Sequence, residues 1–257
     1  MDITGINFNV FVLGAGGTGT YFIKEFSRYI ASLKNPPVAD RMFVMDGDTV
    51  EKKNLDRQAF LPEDVGFKKS SVIADVINHT LFENEDIEWV SIPSYLTNLS
   101  QLSIIPTSTM EVTTEWFKRR DHYLNIPFII SCVDNHAARL LLEEYFDSQV
   151  NCILFDSANE FDNGECVFAA KMGGKVIAPV RSHYFPDIKT GDLRPVTEMS
   201  CTELNTVAPQ HIFTNMYAAL QLLTQAAKLI EDGSFSGGYS SFNSKGLMNN
   251  LYPYTIK

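Results

Sequence analysis

Short apolar runs alternate with helical periodicity through the first 160 residues. Residues 7–13 form a nearly continuous apolar run of β-formers, which predicts a buried strand. Residues 20–33 carry apolar side chains three and four positions apart, which predicts a helix. The same reasoning predicts strands at residues 42–45, 87–92, 127–133 and 152–155, and helices at residues 70–81 and 137–146.

This alternation predicts the fold class. Strands that alternate with helices build a mostly parallel sheet with helices on both faces, so we expect an α/β, Rossmann-like fold. The second half is less regular, and we expect it to add a long buried helix and a terminal hairpin. Its predicted elements are a strand at 165–171, a long loop at 178–200, a helix at 209–230 and a hairpin of 239–242 with 246–254. We predict one domain over residues 1–257, with a nucleotide-binding core at 1–160 and a C-terminal extension at 161–257.

A glycine-rich turn joins the first strand to the first helix. Residues 14–19 fit the pattern G-x-G-x-x-G through Gly14, Gly16, Gly17 and Gly19. Glycines let backbone N–H groups approach a phosphate, and the helix N-terminus adds partial positive charge. A tight turn without a ligand is the alternative. The strand-turn-helix context favours a phosphate site.

Asp46 closes the second predicted strand, where an acidic residue commonly accepts hydrogen bonds from ribose hydroxyls. It lies 27 residues after Gly19, and the usual spacing is about 20 residues. A solvated carboxylate at the strand end is the alternative interpretation. We expect contact with the ribose.

A polar and basic stretch follows Asp46 and contains Asn54, Arg57, Lys68 and Lys69. A triphosphate needs several donors and cations, and Arg and Lys supply a planar fork and a point charge for phosphate oxygens. A dinucleotide would instead need this crevice open for its second nucleoside. The stretch therefore favours ATP, although a solvated polar loop would show the same composition.

Asp134 follows the fourth predicted strand, and strand carboxyl ends face the ligand crevice of such sheets. Mg²⁺ favours one or two carboxylates together with phosphate oxygens and water. The alternative is a helix N-cap, since Asp and Asn are both common there. Both hold together if Asn135 caps the helix and Asp134 binds the metal.

With these motifs in place, the chain resembles the ThiF/MoeB/HesA family of ubiquitin-activating-enzyme-like adenylyltransferases. The matching segments, in family order, are residues 14–19, 46–58, 64–69 and 132–135. Within the family the chain is similar to the ThiF-type proteins of bacterial PRTRC systems. The resemblance implies an ATP–Mg²⁺ site in which Asp46 holds the ribose and Asn54 and Arg57 hold phosphates. It also implies that Lys69 neutralises the leaving diphosphate and that Asp134 binds the metal. Asp48 and Gln58 are further members of the matching string.

The resemblance also implies an activity and partners. The chain would adenylate a carboxylate, that of the C-terminus of a small ubiquitin-like or sulfur-carrier protein, and release diphosphate. It would do so as a homodimer. An NAD(P)-dependent oxidoreductase shares the glycine turn and Asp46 but leaves Arg57 and Lys69 unexplained. A non-catalytic family member that binds a nucleotide or a partner is the third possibility.

Cys201 lies in a segment similar to one where several family members carry a cysteine that takes the acyl group or handles sulfur. The alternative is a small apolar residue near a helix start. The other cysteines are Cys132, Cys152 and Cys166, and no two of the four form a C-x-x-C pair. No zinc is therefore expected.

Net charge and the lengths of apolar runs indicate which classes of binding partner suit the chain. The net charge of -10 is poorly suited to coating nucleic acid or an anionic membrane, because phosphate neutralisation needs surplus Lys and Arg. No secretory signal and no apolar run of the about 20 residues of a membrane-spanning helix is present. We expect a cytoplasmic location, no membrane and no nucleic acid.

Overall fold

A computed structural model of the chain describes residues 5–83, 86–107, 123–191, 193 and 210–255. The strands are β1 (Gly5–Leu13), β2 (Arg41–Met45), β3 (Glu88–Ile92), β4 (Tyr123–Ser131), β5 (Cys152–Asn159), β6 (Asn163–Met172), β7 (Lys175–Ala178), β8 (Gly238–Asn243) and β9 (Met248–Pro253). The α-helices are α1 (Gly17–Ser32), α2 (Lys69–Leu81), α3 (His136–Ser148), α4 (Arg181–Tyr184) and α5 (Ile212–Asp232). Short 3-10 helices cover Lys52–Asn54, Pro62–Asp64, Leu99–Ile104 and Pro186–Lys189.

One mixed sheet joins the described strands in the order β3-β2-β1-β4-β5-β6-β8-β9, with β7 paired to β6. The first five strands run parallel, and the later ones pair antiparallel. Helices cover both faces. On one face α1, α2 and α5 pack over buried side chains of the sheet, and α3 packs on the other face. The predicted α/β, Rossmann-like class is confirmed.

The first helix begins earlier than the pattern predicts, at Gly17 instead of residue 20. The turn is therefore limited to residues 14–16. Gly19 lies in the first helical turn against the strand end, where a Cβ atom would overlap the Gly14 carbonyl oxygen. Glycine's missing side chain lets the helix start this close to the strand.

Strand β5 continues to Asn159, whereas the apolar run predicted an end at residue 155. Its continuation carries Asp156 and Ser157, which are both buried although polar. Buried polar groups persist when they are hydrogen-bonded, and Asp156 is bonded to two arginines. The apolar pattern therefore ended before the strand did.

The C-terminal extension differs most from its prediction. The terminal hairpin is confirmed as β8 and β9. Helix α5 is not buried all round, because Phe213, Met216 and Leu220 on one side are exposed. The predicted loop at 178–200 contains α4 and a 3-10 helix in its described part. Within the described ranges, no helix has the length and apolar character needed to span a membrane.

Candidate nucleotide-binding site

The carboxyl ends of the parallel strands meet along one edge of the sheet. Strand pairing places Leu13 beside both Met45 and Ser131. Pairing also places Met45 beside Ile92, and Ser131 beside Asp156. The residues that follow these positions therefore share one crevice, which is where ligands bind in open α/β sheets.

The glycine turn fits tightly between neighbouring strands. Gly14 has φ +94°, and a Cβ atom there would lie 2.7 Å from the Cys132 carbonyl oxygen. The Gly14 amide donates to the Met45 carbonyl oxygen at 2.8 Å. At Gly16 the nearest atom to a built Cβ is Gln58 Nε2, at 4.0 Å. Gly16 therefore faces open space beside Gln58, on the side where a phosphate could approach.

Asp46 holds this turn to the second strand. Its Oδ2 accepts from the Ala15 amide at 2.6 Å, and its Oδ1 accepts from the Asp48 amide at 2.8 Å. Burial raises the pKa of the Asp46 carboxyl, an effect that the Lys69 ammonium group opposes. The residue that the sequence assigns to the ribose thus also fixes the turn, and its oxygens keep lone pairs for further donors.

Lys69 begins α2 and is buried, with 7% of its side chain exposed. Its Nζ pairs with Asp48 Oδ2 at 2.7 Å. Burial alone would raise the pKa of the Asp48 carboxyl, but the Lys69 charge holds that pKa below its ordinary value. The neighbouring Lys68 is exposed and its Nζ donates to the Gly47 carbonyl oxygen at 2.5 Å. The sequence did not reveal the ion pair between the two predicted site residues Asp48 and Lys69.

The segment between these residues contributes Asn54, Arg57 and Gln58. Asn54 is buried, and its Oδ1 accepts from the Glu51 amide at 2.8 Å. Arg57 Nε and Gln58 Oε1 are buried without a hydrogen-bond partner among the described residues. An unpaired buried polar group is costly. A polyphosphate would satisfy Arg57 Nε, so the residues present fit a nucleotide.

Asp134 lies at the same edge and is exposed. The N-cap of α3 is Asn135, whose Oδ1 accepts from the Ala138 amide at 2.8 Å. Capping therefore does not require Asp134. In the described part of the chain, no group of three His, Cys, Asp or Glu residues is arranged to hold a metal ion. Mg²⁺ needs no such cluster where phosphate oxygens and water complete its ligands.

Sequence reasoning missed Tyr95, which follows β3 at this edge. Its Oη donates to Asp48 Oδ1 at 2.5 Å. Its ring packs on Gly47, where a Cβ atom would lie 2.6 Å from it. The only signal was its position just after a predicted strand, at the edge where ligands bind.

Sequence reasoning also missed Asn215, which is fully buried near the start of α5. Its side chain fills the space beside Gly17, and its Nδ2 donates to the Arg57 carbonyl oxygen at 3.2 Å. Its Oδ1 accepts from Asn159 Nδ2 at 2.7 Å. A helix from the C-terminal extension therefore holds both the glycine turn and the Arg57 segment.

A buried charge network supports the Asp134 side of the crevice. Asp156 accepts from Arg139 Nε at 3.3 Å and from Arg181 Nε. Arg139 Nη2 donates to the carbonyl oxygen of Val133, the residue before Asp134. Although burial acts to raise it, the two arginines hold the pKa of Asp156 below its ordinary value. This network fixes the backbone that presents Asp134.

The cysteines near the sheet are poor nucleophiles. Burial raises the pKa of the Cys132 thiol to about 12, and it raises the pKa of Cys152 and Cys166 as well. The thiolate is the reactive form, so these three are inert near neutral pH. Cys201 lies outside the described residues.

Comparison with known proteins gives a family match over nearly the whole chain. Residues 6–250 match the model of the ThiF family. Ubiquitin-like modifier-activating enzyme 5 of Arabidopsis thaliana is 29% identical over 139 residues, which are 53% of this chain and 29% of that protein. Ubiquitin-activating enzyme E1 1 of Candida albicans (strain WO-1) is 39% identical over 69 residues, which are 26% of this chain and 6% of that protein. The chain thus spans under a third of either relative.

Solved structures agree on the fold. The structure of PaaA has a TM-score of 0.62 at 13% identity, covering 96% of this chain and 72% of that one. Escherichia coli MccB, solved with ATP, has a TM-score of 0.61 at 16% identity, covering 96% of this chain and 63% of that one. At such identities the likeness is one of fold.

Proposed function

The chain belongs to the ThiF family, and on that premise we propose that it uses ATP to adenylate a carboxylate. The observation that carries the proposal is the glycine turn together with two cationic side chains at the same strand edge, Lys69, which is buried, and Arg57, which is half-buried. Arg57 has an unpartnered buried Nε, and Lys69 is buried at the start of α2. Such an arrangement suits a polyphosphate that changes charge during a reaction.

The carboxylate would attack the α-phosphorus of ATP. An oxygen–phosphorus bond forms to the acyl group, the bond from the α-phosphorus to the bridging oxygen breaks, and diphosphate leaves with the electron pair. Negative charge grows on the leaving group, where Arg57 and Lys69 would neutralise it. Asp46 would orient the ribose. Asp134 would hold Mg²⁺, which when bound neutralises phosphate charge.

The carboxylate is proposed to be the C-terminus of a small ubiquitin-like or sulfur-carrier protein. Two sequence relatives, an activating enzyme for a ubiquitin-like modifier and a ubiquitin-activating enzyme, support this class. MccB, which shares the fold, has been solved with ATP and with MccA. A homodimer and a transfer to Cys201 remain predictions of the family resemblance.

ATP–diphosphate exchange tests the proposal. We expect labelled diphosphate to enter ATP only when the chain is mixed with Mg²⁺ and a ubiquitin-like or sulfur-carrier protein that has a free C-terminus. The same protein with an amidated C-terminus should not support exchange. Arg57→Ala and Asp134→Ala should each reduce exchange at least about 100-fold, the scale of losing one electrostatic stabiliser.

The matched control is Arg28→Ala, which removes an exposed arginine of α1 that pairs only with Glu25 on its own helix among the described residues. It should exchange at the wild-type rate. Calorimetry that shows no ATP binding would refute the proposal, and tight NADH binding in its place would favour the oxidoreductase. ATP binding without exchange for any carrier protein would favour a non-catalytic member.

A further inference from the structure

Tyr95 is fixed to the 46–48 loop by two separate contacts. Its ring packs on Gly47, where a built Cβ atom would lie 2.6 Å away. Its hydroxyl donates to Asp48 Oδ1 at 2.5 Å. Hydrogen bonds to an ionised acceptor are short and strong. The ring contact sets where the phenol lies, and the hydroxyl contact sets how the Asp48 carboxylate is turned.

The second oxygen of Asp48 holds Lys69. Asp48 Oδ2 and Lys69 Nζ are 2.7 Å apart, and the Lys69 amide donates to the Asp48 carbonyl oxygen at 3.0 Å. The Asp48 side chain is 44% exposed, whereas that of Lys69 is 7% exposed. An ammonium group has three donors. Asp48 takes one of them and so determines the directions of the other two.

The hydroxyl of Tyr95 acts as a donor throughout the physiological pH range. Burial and the hydrogen bond to Asp48 raise the pKa of the phenol, and the carboxylates of Asp46 and Asp134 add to this. The phenol therefore lies close to three of the acidic residues that the sequence assigned to the site. Its proton stays available to Asp48 when the charge of Lys69 is shared with a ligand.

We infer that Tyr95 is a positioning residue of the nucleotide site, whose hydroxyl fixes Asp48 so that Asp48 aims the Lys69 ammonium group at the phosphates. The inference rests on the proposed use of ATP. A lysine side chain is flexible, and ordering it before the ligand arrives lowers the entropy lost on binding. The benefit applies only to ligands that carry phosphate.

Calorimetry with ATP and with adenosine, both in Mg²⁺ buffer, tests the inference. Tyr95→Phe removes the hydroxyl and keeps the ring on Gly47. We expect its Kd for ATP to rise about fivefold to tenfold, less than for deleting a direct bond to a charged group because the effect is transmitted. Its Kd for adenosine should stay at the wild-type value, since adenosine offers nothing to Lys69.

A double-mutant cycle separates positioning from a general structural role. In a Lys69→Ala background, Tyr95→Phe should cause no further loss of ATP affinity, because residues of one hydrogen-bond network, here joined through Asp48, are non-additive. The matched control is Tyr29→Phe, which deletes another hydroxyl that donates to a carboxylate, that of Glu231 at 3.0 Å. It should leave both affinities unchanged.

Three results would overturn the inference while wild-type ATP binding remains intact. They are an unchanged ATP affinity in Tyr95→Phe, an equal loss for ATP and adenosine, and an additive loss in the Lys69→Ala background. If the wild-type chain binds no ATP at all, the proposed function itself fails, so the two failures are distinguishable. Thermal unfolding of each variant confirms that the measured chain is folded.

Discussion

Removing the carboxylate of Asp156 should destabilise the protein strongly. Asp156, Arg139 and Arg181 are each at most 6% exposed in their side chains. Two unit charges about 4 Å apart attract by about 4 kcal/mol at an effective dielectric constant of about 20. Desolvation of the three charged groups cancels much of this, because each ion loses several kcal/mol of hydration.

Asp156→Ala removes the attraction and leaves two guanidinium groups buried without their shared partner. Breaking a buried pair in this way costs about 3–5 kcal/mol. For a chain of this size each kcal/mol lowers Tm by about 2–4 °C, so we expect a fall of about 6–20 °C. Asp156→Asn keeps an acceptor for both arginines and should lose less.

Equilibrium urea unfolding followed by circular dichroism measures the change, with the midpoint reporting stability and the slope reporting exposed surface. The control is Asp232→Ala, which removes an exposed pair with Lys228 on α5 and should cost about 0.3–0.5 kcal/mol. A loss below about 1 kcal/mol for Asp156→Ala, the range of exposed pairs, would refute the reasoning, since it would mean that the arginines regain water.

Three further predictions concern Asp156, Gly19 and the buried cysteines. Burial alone would raise the pKa of Asp156, but the two arginines hold it below its value in the unfolded chain. The contribution of Asp156 to folding stability is therefore complete above about pH 4 and is lost as the pH falls further. Urea unfolding below about pH 4 should therefore show a steeper loss of stability for wild type than for Asp156→Asn. Gly19→Ala adds a Cβ atom that would overlap the Gly14 carbonyl oxygen. It should lower the free energy of unfolding by about 1–3 kcal/mol and should weaken ATP binding measured by calorimetry. The control is Gly173→Ala, at φ +59° in open space, which should lower stability without changing ATP binding. Cys152 and Cys166, whose pKa values burial raises, should react with Ellman's reagent only after unfolding.

The parallel half of the fold was predictable because its signals are local. A strand such as β1 is an apolar run, and a helix such as α1 repeats its apolar positions within a few residues. Both signals are properties of neighbouring positions. The motif from Asp46 to Gln58 is local in the same sense, so the sequence alone predicts that its residues share one crevice.

The contacts that complete the crevice are not local. Asp156 and Arg181 pair across 25 residues, and each reads in the sequence as a charge that ought to be exposed. Tyr95 donates a hydrogen bond to Asp48, which lies 47 residues away in the sequence, and no periodic pattern in the sequence predicts this contact. The prediction that α5 is buried all round was wrong because the helix carries more apolar residues than its buried face holds, which leaves Phe213, Met216 and Leu220 exposed. At Asp156, Arg181 and Tyr95, the partner that each side chain finds in the fold determines its environment, and hydropathy along the sequence does not predict it.

The contact between Asn215 and the Arg57 segment has a consequence for how the protein is made. The two residues are 158 positions apart. At a synthesis rate of about 5–20 residues per second, about 8–30 s separate the emergence of one from that of the other. During that time the Asn215 side chain is missing from its place beside Gly17, and the Arg57 carbonyl oxygen lacks the Asn215 donor. The nucleotide crevice is therefore completed only after α5 has been synthesised, so the onset of nucleotide binding should report that α5 has docked.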